Sequence, residues 1–189
     1  MILMPTTFVF FRHAQGYHNV DGDIRGDHAY NDPIHIDAEL TDYGILQAKS
    51  KKLGDEQFDE IYCSPMRRCI QTLLNIYPQS ELLPVIVDDR LIEQPQGRDA
   101  CNHRLDKDHP DTITPIRWNT KLVSDLNPFR VDIDRDINNI LSFTKDAKNK
   151  HPNGKVLVVT HGRWLNNWLM IYKNYGKWFN NCESIRITI

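Results

Sequence analysis

Five consecutive residues, Thr7-Phe8-Val9-Phe10-Phe11, constrain the fold of this chain more than any other stretch. All are β-branched or aromatic, and no turn-former interrupts them. An unbroken apolar run of this kind leaves no polar face for water, so it predicts an interior strand of a sheet covered on both sides. Lys155 to Thr160 repeats the pattern around Val156-Leu157-Val158-Val159, and shorter runs at Phe58 to Cys63 and Pro84 to Val87 read the same way. Helical spacing lies between them. One helix is expected from Thr41 to about Leu53, stopped by Gly54. A second runs from Ser64 to about Ile76, with Ser64 as N-cap and Pro65 at the first helical position. A third covers Asp132 to about Lys150, and a fourth follows Gly162 with Trp164, Leu165, Trp168 and Leu169 on it. Ser184 to Ile189 alternates apolar and polar residues, which suits an edge strand. Strands alternating with helices predict a three-layer α/β/α, doubly wound and mostly parallel sheet.

Two stretches break the alternation. Residues 16–38 hold Gly16, Gly22, Gly26 and Pro33 among many Asp, Asn and His residues, which is loop chemistry. Residues 94–131 hold four prolines and no sustained period, predicting an excursion with short helices around Trp118 and Leu122. A length of 189 residues suits one domain over residues 1–189, with these two stretches as cap insertions. The 25 acidic and 23 basic residues give a net charge of −2, so neither nucleic acid nor an acidic membrane surface is an expected partner. No apolar stretch approaches the roughly 18 residues that span a bilayer. Met1 to Phe11 lacks the basic start of a signal peptide. Cys63, Cys69, Cys101 and Cys182 show no CxxC spacing and fit neither a zinc site nor a disulfide scaffold. The expectation is a cytoplasmic, intracellular protein without a metal site or cofactor.

What remains is the chemistry at the strand ends. Arg12-His13 follows the first strand, Ser64-Pro65-Met66-Arg67-Arg68 the second, Arg90-Leu91-Ile92-Glu93 the third and Thr160-His161-Gly162 the last. In a doubly wound sheet the carboxyl ends of parallel strands share one rim, so these groups converge. Arginine forks onto phosphate, imidazole serves as nucleophile or base, and helix N-termini aim N–H groups at an anion. Arg67, one residue from Arg68 on a helix, points about 100° away and is expected to be solvated or structural.

Taken in order, these segments resemble the histidine phosphatase superfamily, the phosphoglycerate mutase-like proteins. Phe11-Arg12-His13-Ala14 is similar to the family's Arg-His-Gly signature, and Arg12 through Asn19 resembles a eukaryotic branch in which Ala14 is usual. Leu40 to Ala48, Ser64 to Thr72 and Thr160-His161-Gly162 are similar to the family's remaining motifs. Glu93, Gly97 and Cys101-Asn102-His103-Arg104 resemble that branch's acid and its Cys-Asp-x-Arg segment, with Asn102 in place of Asp. The resemblance implies metal-independent phosphoryl transfer through a phosphohistidine. His13 is then the nucleophile and Glu93 the acid and base. Arg12, Asn19, Arg68 and His161 bind phosphate, with His161 also counted as catalytic. Gln15, Gly16, Arg98 and Arg104 are candidates for contacts to the rest of the substrate, and His18 for the pocket mouth. The substrate is a phosphorylated small molecule or a phosphoprotein. A phosphatase leads. A phosphoglycerate mutase is the alternative, although Gln94 to Arg98 does not resemble the Arg-His-Tyr-Gly that follows the acid in true mutases. A catalytically silent phosphate-binding or scaffold protein is the third reading. It predicts loss of His13, Arg68 or His161, all of which are present. Substrate identity and oligomeric state are not read from the chain.

Overall fold

A computed structural model describes residues 4–78, 84–94, 99–103, 118–122 and 133–189. The described residues form six strands and five helices in the order β1 (Thr7–Arg12), α1 (Tyr17–Arg25), α2 (Asp42–Ser50), β2 (Glu60–Cys63), α3 (Arg67–Ile76), β3 (Val85–Asp88), β4 (Trp118–Leu122), α4 (Ile133–Lys150), β5 (Lys155–Thr160), α5 (Gly162–Lys173) and β6 (Ser184–Thr188). The strands form one sheet in the order β4-β3-β2-β5-β1-β6. Five are parallel, and β6 runs antiparallel along β1 at one edge.

Alternate residues of the apolar strands feed two cores. Val9, Phe11, Ile61, Cys63, Leu157 and Val159 face α2 and α3, meeting Ala48, Cys69, Ile70 and Leu73. Phe8, Phe10, Tyr62, Val156 and Val158 face α4 and α5, meeting Phe143, Trp164 and Trp168. Both faces of β1 and β5 are therefore dry, as their unbroken apolar runs require. Trp168 donates its Nε1–H to Thr144 Oγ1 at 2.9 Å, so the second core closes without leaving that buried donor unpaired. All four cysteines are free thiols and buried. Among the described residues no helix is long and apolar enough to cross a membrane.

Four local expectations need correction. Tyr17–Arg25 is an α-helix rather than loop. Gly22 looked like punctuation, yet a Cβ there would lie 2.5 Å from Tyr30 Oη, so this glycine lets Tyr30 pack against the helix. Trp118–Leu122 is a strand rather than part of short helices. It pairs parallel with β3, whose outer backbone groups would otherwise lack partners, and this pairing decides a segment with no period of its own. The second helix stops at Ser50, three residues early, because Leu53 N–H turns to Ile76 O at 2.8 Å. Finally, α3 begins at Arg67 with Met66 as N-cap. Ser64, the expected cap, bonds a histidine instead.

Strand register places the site. β5 lies between β1 and β2, with Arg12 opposite Thr160 and Cys63 opposite Val159. One step further, His13 N–H donates to Thr160 O at 2.9 Å and Ser64 N–H to Val159 O at 3.0 Å. His13, Ser64 and His161 thus leave the sheet side by side. The turn after His13 is clamped by α2. Thr41 caps that helix by accepting Gly44 N–H at 2.9 Å, and Gly44 packs directly on the Gln15 carbonyl.

Candidate active site

At this rim lies a cleft of about 630 Å³, part of it open to solvent, into which Arg12, His13, His18, Asn19, Arg68 and Glu93 all reach. His13 is buried, and its Nδ1 lies 2.8 Å from its own neighbour's carbonyl, Ala14 O. A carbonyl can only accept, so Nδ1 carries the proton and Nε2 keeps its lone pair. The backbone of His13 is held as firmly. Its carbonyl accepts Cys182 N–H at 3.0 Å and Asn181 Nδ2 at 3.4 Å.

His161 stands behind His13, with ring centroids 5.2 Å apart. Arg68 Nη2 donates to His161 Nδ1 at 3.3 Å, which leaves the proton on Nε2, 2.8 Å from Ser64 Oγ. This pairing takes Ser64 away from helix capping. His161 does not itself line the cleft. Burial, followed by the charge of Arg68, holds His13, His18 and His161 well below the usual imidazole range, so all three are neutral near pH 7. Cys69, in contact with His161, is an unreactive neighbour, its thiol pushed up to about 12 mainly by burial.

The two arginines are held by neutral hydrogen-bond acceptors. Arg68 donates to Cys101 O at 2.7 Å and Asn102 Oδ1 at 2.9 Å, both neutral acceptors. Arg12 donates Nη1 to Phe179 O. Burial pulls the Arg12 guanidinium below its ordinary value, while Glu93 works in the opposite direction. The Nε atoms of both arginines are buried and make no hydrogen bond. Neither guanidinium forms a salt bridge among the described residues. A buried charge held this way is costly until an anion enters. Gly162 gives Arg12 its room, since a Cβ there would lie 3.2 Å from Arg12 Nε.

Glu93 reaches the cleft from the turn after β3. The turn that carries it is pinned by Thr160 Oγ1 to Leu91 O and Trp164 Nε1 to Arg90 O, both at 2.7 Å. Its Oε1 accepts Gln94 N–H at 2.9 Å and Trp164 N–H at 3.1 Å, and Oε2 accepts Arg163 N–H at 3.4 Å. The carboxylate therefore sits over the first turn of α5, where a helix N-terminus favours negative charge. Asn19 Oδ1 is taken by Gly16 N–H at 3.0 Å and Asn181 Nδ2 at 3.1 Å, which leaves its own amide N–H groups to donate.

Other expected contacts fall elsewhere. Gln15 and Gly16 do not line the cleft, and Gln15 Oε1 accepts from Thr41 Oγ1 at 2.9 Å. Arg98 and Arg104 lie outside the described residues. Arg67 donates to Glu39 Oε1 at 2.6 Å, away from the cleft. Tyr30, Asp99, Arg163 and Trp178 do line it, and sequence reasoning missed all four. Only Arg163, directly after His161-Gly162 at a helix start, carried a local signal. Asn181, which positions His13 and Asn19 from 162 or more residues away, carried none. Among the described residues no three His, Cys, Asp or Glu side chains are grouped as a metal site.

Comparison with known proteins agrees with this architecture. Residues 8–179 match the histidine phosphatase superfamily (branch 1). Phosphoserine phosphatase 1 of Hydrogenobacter thermophilus is 27% identical over 163 residues, covering 81% of this chain and 69% of that protein. Phosphoglycerate mutase-like protein 1 of Arabidopsis thaliana is 32% identical over 93 residues, 43% of this chain and 33% of that protein. Among solved structures, phosphoglycerate mutase from Bacillus anthracis superposes with a TM-score of 0.66 at 18% identity, over 98% of this chain and 88% of that one. Phosphoserine phosphatase from Entamoeba histolytica, in complex with 3-phosphoglyceric acid, gives 0.63 at 20% identity over 96% and 89%. At these identities the structures speak for the fold alone.

Proposed function

The chain belongs to branch 1 of the histidine phosphatase superfamily, and from that premise we propose that it hydrolyses a phosphomonoester through a phosphohistidine on His13, without a metal. The observation that carries this reading is the His13 ring. Its Nδ1 proton is bound to Ala14 O, its Nε2 lone pair is free, and it is neutral beside buried Arg68 and half-buried Arg12, neither of them in a salt bridge among the described residues. Neutral imidazole is the form that can attack phosphorus.

In this reaction the phosphoryl group enters among Arg12, Arg68 and Asn19, whose unfilled donors bind its non-bridging oxygens. As His13 Nε2 bonds to phosphorus and the ester oxygen leaves, these donors stabilise the charge spread over those oxygens. His161 acts by holding Arg68, whose Nη2 donates to its Nδ1. Glu93 takes up the proton that a monoanionic phosphoryl group brings in, passes it to the leaving oxygen, then takes one from the water that cleaves the phosphohistidine. Its place in the cleft, anchored on the first turn of α5, supports that role.

The test is hydrolysis of 4-nitrophenyl phosphate with and without EDTA, beside the His13→Ala and Glu93→Gln variants. We expect EDTA-insensitive turnover, abolished by His13→Ala and reduced at least about 100-fold by Glu93→Gln. Turnover that EDTA removes, or that survives His13→Ala, contradicts the proposal.

A further inference from the structure

The groups around the mouth of the cleft, beyond those assigned to the phosphoryl group, describe its leaving-group side. Trp178 lines the cleft and is 71% exposed, whereas Trp164 and Trp168 are fully buried. Among the described residues no ring stacks on the Trp178 indole and nothing accepts from its Nε1. An indole left bare at the mouth of a polar cleft gains free energy when something flat and apolar covers it. Tyr30 also lines the cleft, packed 6.1 Å from His18 and seated on Gly22. Arg163 completes the set. Its backbone N–H is on Glu93 Oε2, and the residue lines the cleft beside that carboxylate. Tyr30 and Arg163 continue into an adjoining cavity of about 470 Å³, so the mouth has room for more than a phosphoryl group.

Charge narrows the choice. Asp99 shares both cavities with Arg163, and Asp27 lines the second. Among the described residues the rim therefore offers no surplus of positive charge that would reward a second acid group on the substrate. What it offers is three flat surfaces: an indole, a phenol and a guanidinium.

Building on the phosphatase reading, we infer that this rim is a leaving-group subsite for a planar ring, and that the substrate is a small ring-bearing phosphomonoester with Trp178 stacking on the ring. A concave cleft with a few convergent polar groups is the usual setting for a small ligand.

The test compares two non-hydrolysable phosphonates of equal carbon number, 2-phenylethylphosphonate and 2-cyclohexylethylphosphonate, by calorimetric titration. Inorganic phosphate is titrated alongside. The wild-type protein is expected to bind the phenyl compound about tenfold more tightly than the saturated one, because the saturated ring cannot stack. Trp178→Ala is expected to reduce that ratio to within about twofold, and Trp178→Phe to preserve most of it. Equal affinities in the wild type, or a ratio unchanged by Trp178→Ala, overturn the inference. So does binding of phosphate with no binding of either phosphonate. Absence of phosphate binding overturns the phosphatase reading itself, and the subsite with it.

Discussion

Acidification from pH 7 to 5.5 should weaken this protein by about 3–4 kcal/mol through three buried histidines alone. His13, His18 and His161 are each held well below the ordinary imidazole value of 6.5, chiefly by burial and next by Arg68. In the unfolded chain each recovers a value near 6.5 and takes up a proton as the pH falls past it. The native state does not follow. The unfolded state therefore binds more protons, and stability is lost as pH falls below that value. Between pH 7 and 5.5 each site contributes roughly 1 kcal/mol, and the three together roughly 3–4. The carboxylates held below their ordinary values, such as Glu60 among its Lys150 and His151 partners, lose their contribution only nearer pH 4.5 and below. The chosen window thus isolates the histidines. Urea denaturation at half-unit pH steps, without phosphate, measures the slope. His18→Gln should remove about one third of it. A flat profile, or a His18→Gln slope equal to the wild type, would refute the reasoning.

Two further substitutions probe the scaffold and the charge of the site. Gly44→Ala puts a Cβ 2.1 Å from the Gln15 carbonyl oxygen, a backbone atom that cannot swing away. The cost should reach or exceed about 3 kcal/mol, read as a fall in thermal midpoint, and an unchanged midpoint would mean that α2 does not clamp the turn after His13. Asn102→Asp would give Arg68 an anionic partner at the 2.9 Å contact now made by the amide oxygen. Inhibition by inorganic phosphate should weaken about tenfold or more, while thermal stability holds or rises. Unchanged inhibition would show that the free charge of Arg68 does not attract the anion.

What the sequence made legible follows from where burial decides the outcome. β1 and β5 are dry on both faces, so their apolar runs could be nothing but interior strands. The strand-end position of Arg12-His13, Ser64, Glu93 and His161 then followed from parallel topology. The failures share a different cause, tertiary contact overriding local pattern. Gly22 reads as a helix breaker until the ring of Tyr30 is seen against it. Ser64 reads as a cap until His161 claims its hydroxyl. Trp118–Leu122 has no period because its state is set by the open edge of β3. Tyr30, Arg163 and Trp178 meet at one mouth from three distant segments, and no spacing in a single chain announces such a meeting.

The central claim is that phosphate passes through a bond to His13 Nε2. The most direct measurement is rapid-quench trapping with a 32P-labelled phosphomonoester, followed by peptide mapping. The account predicts a covalent label that is stable in base, labile in acid, located on the peptide containing His13 and absent from His13→Ala. An acid-stable label on any other residue, or full turnover by His13→Ala with no label at all, would contradict it.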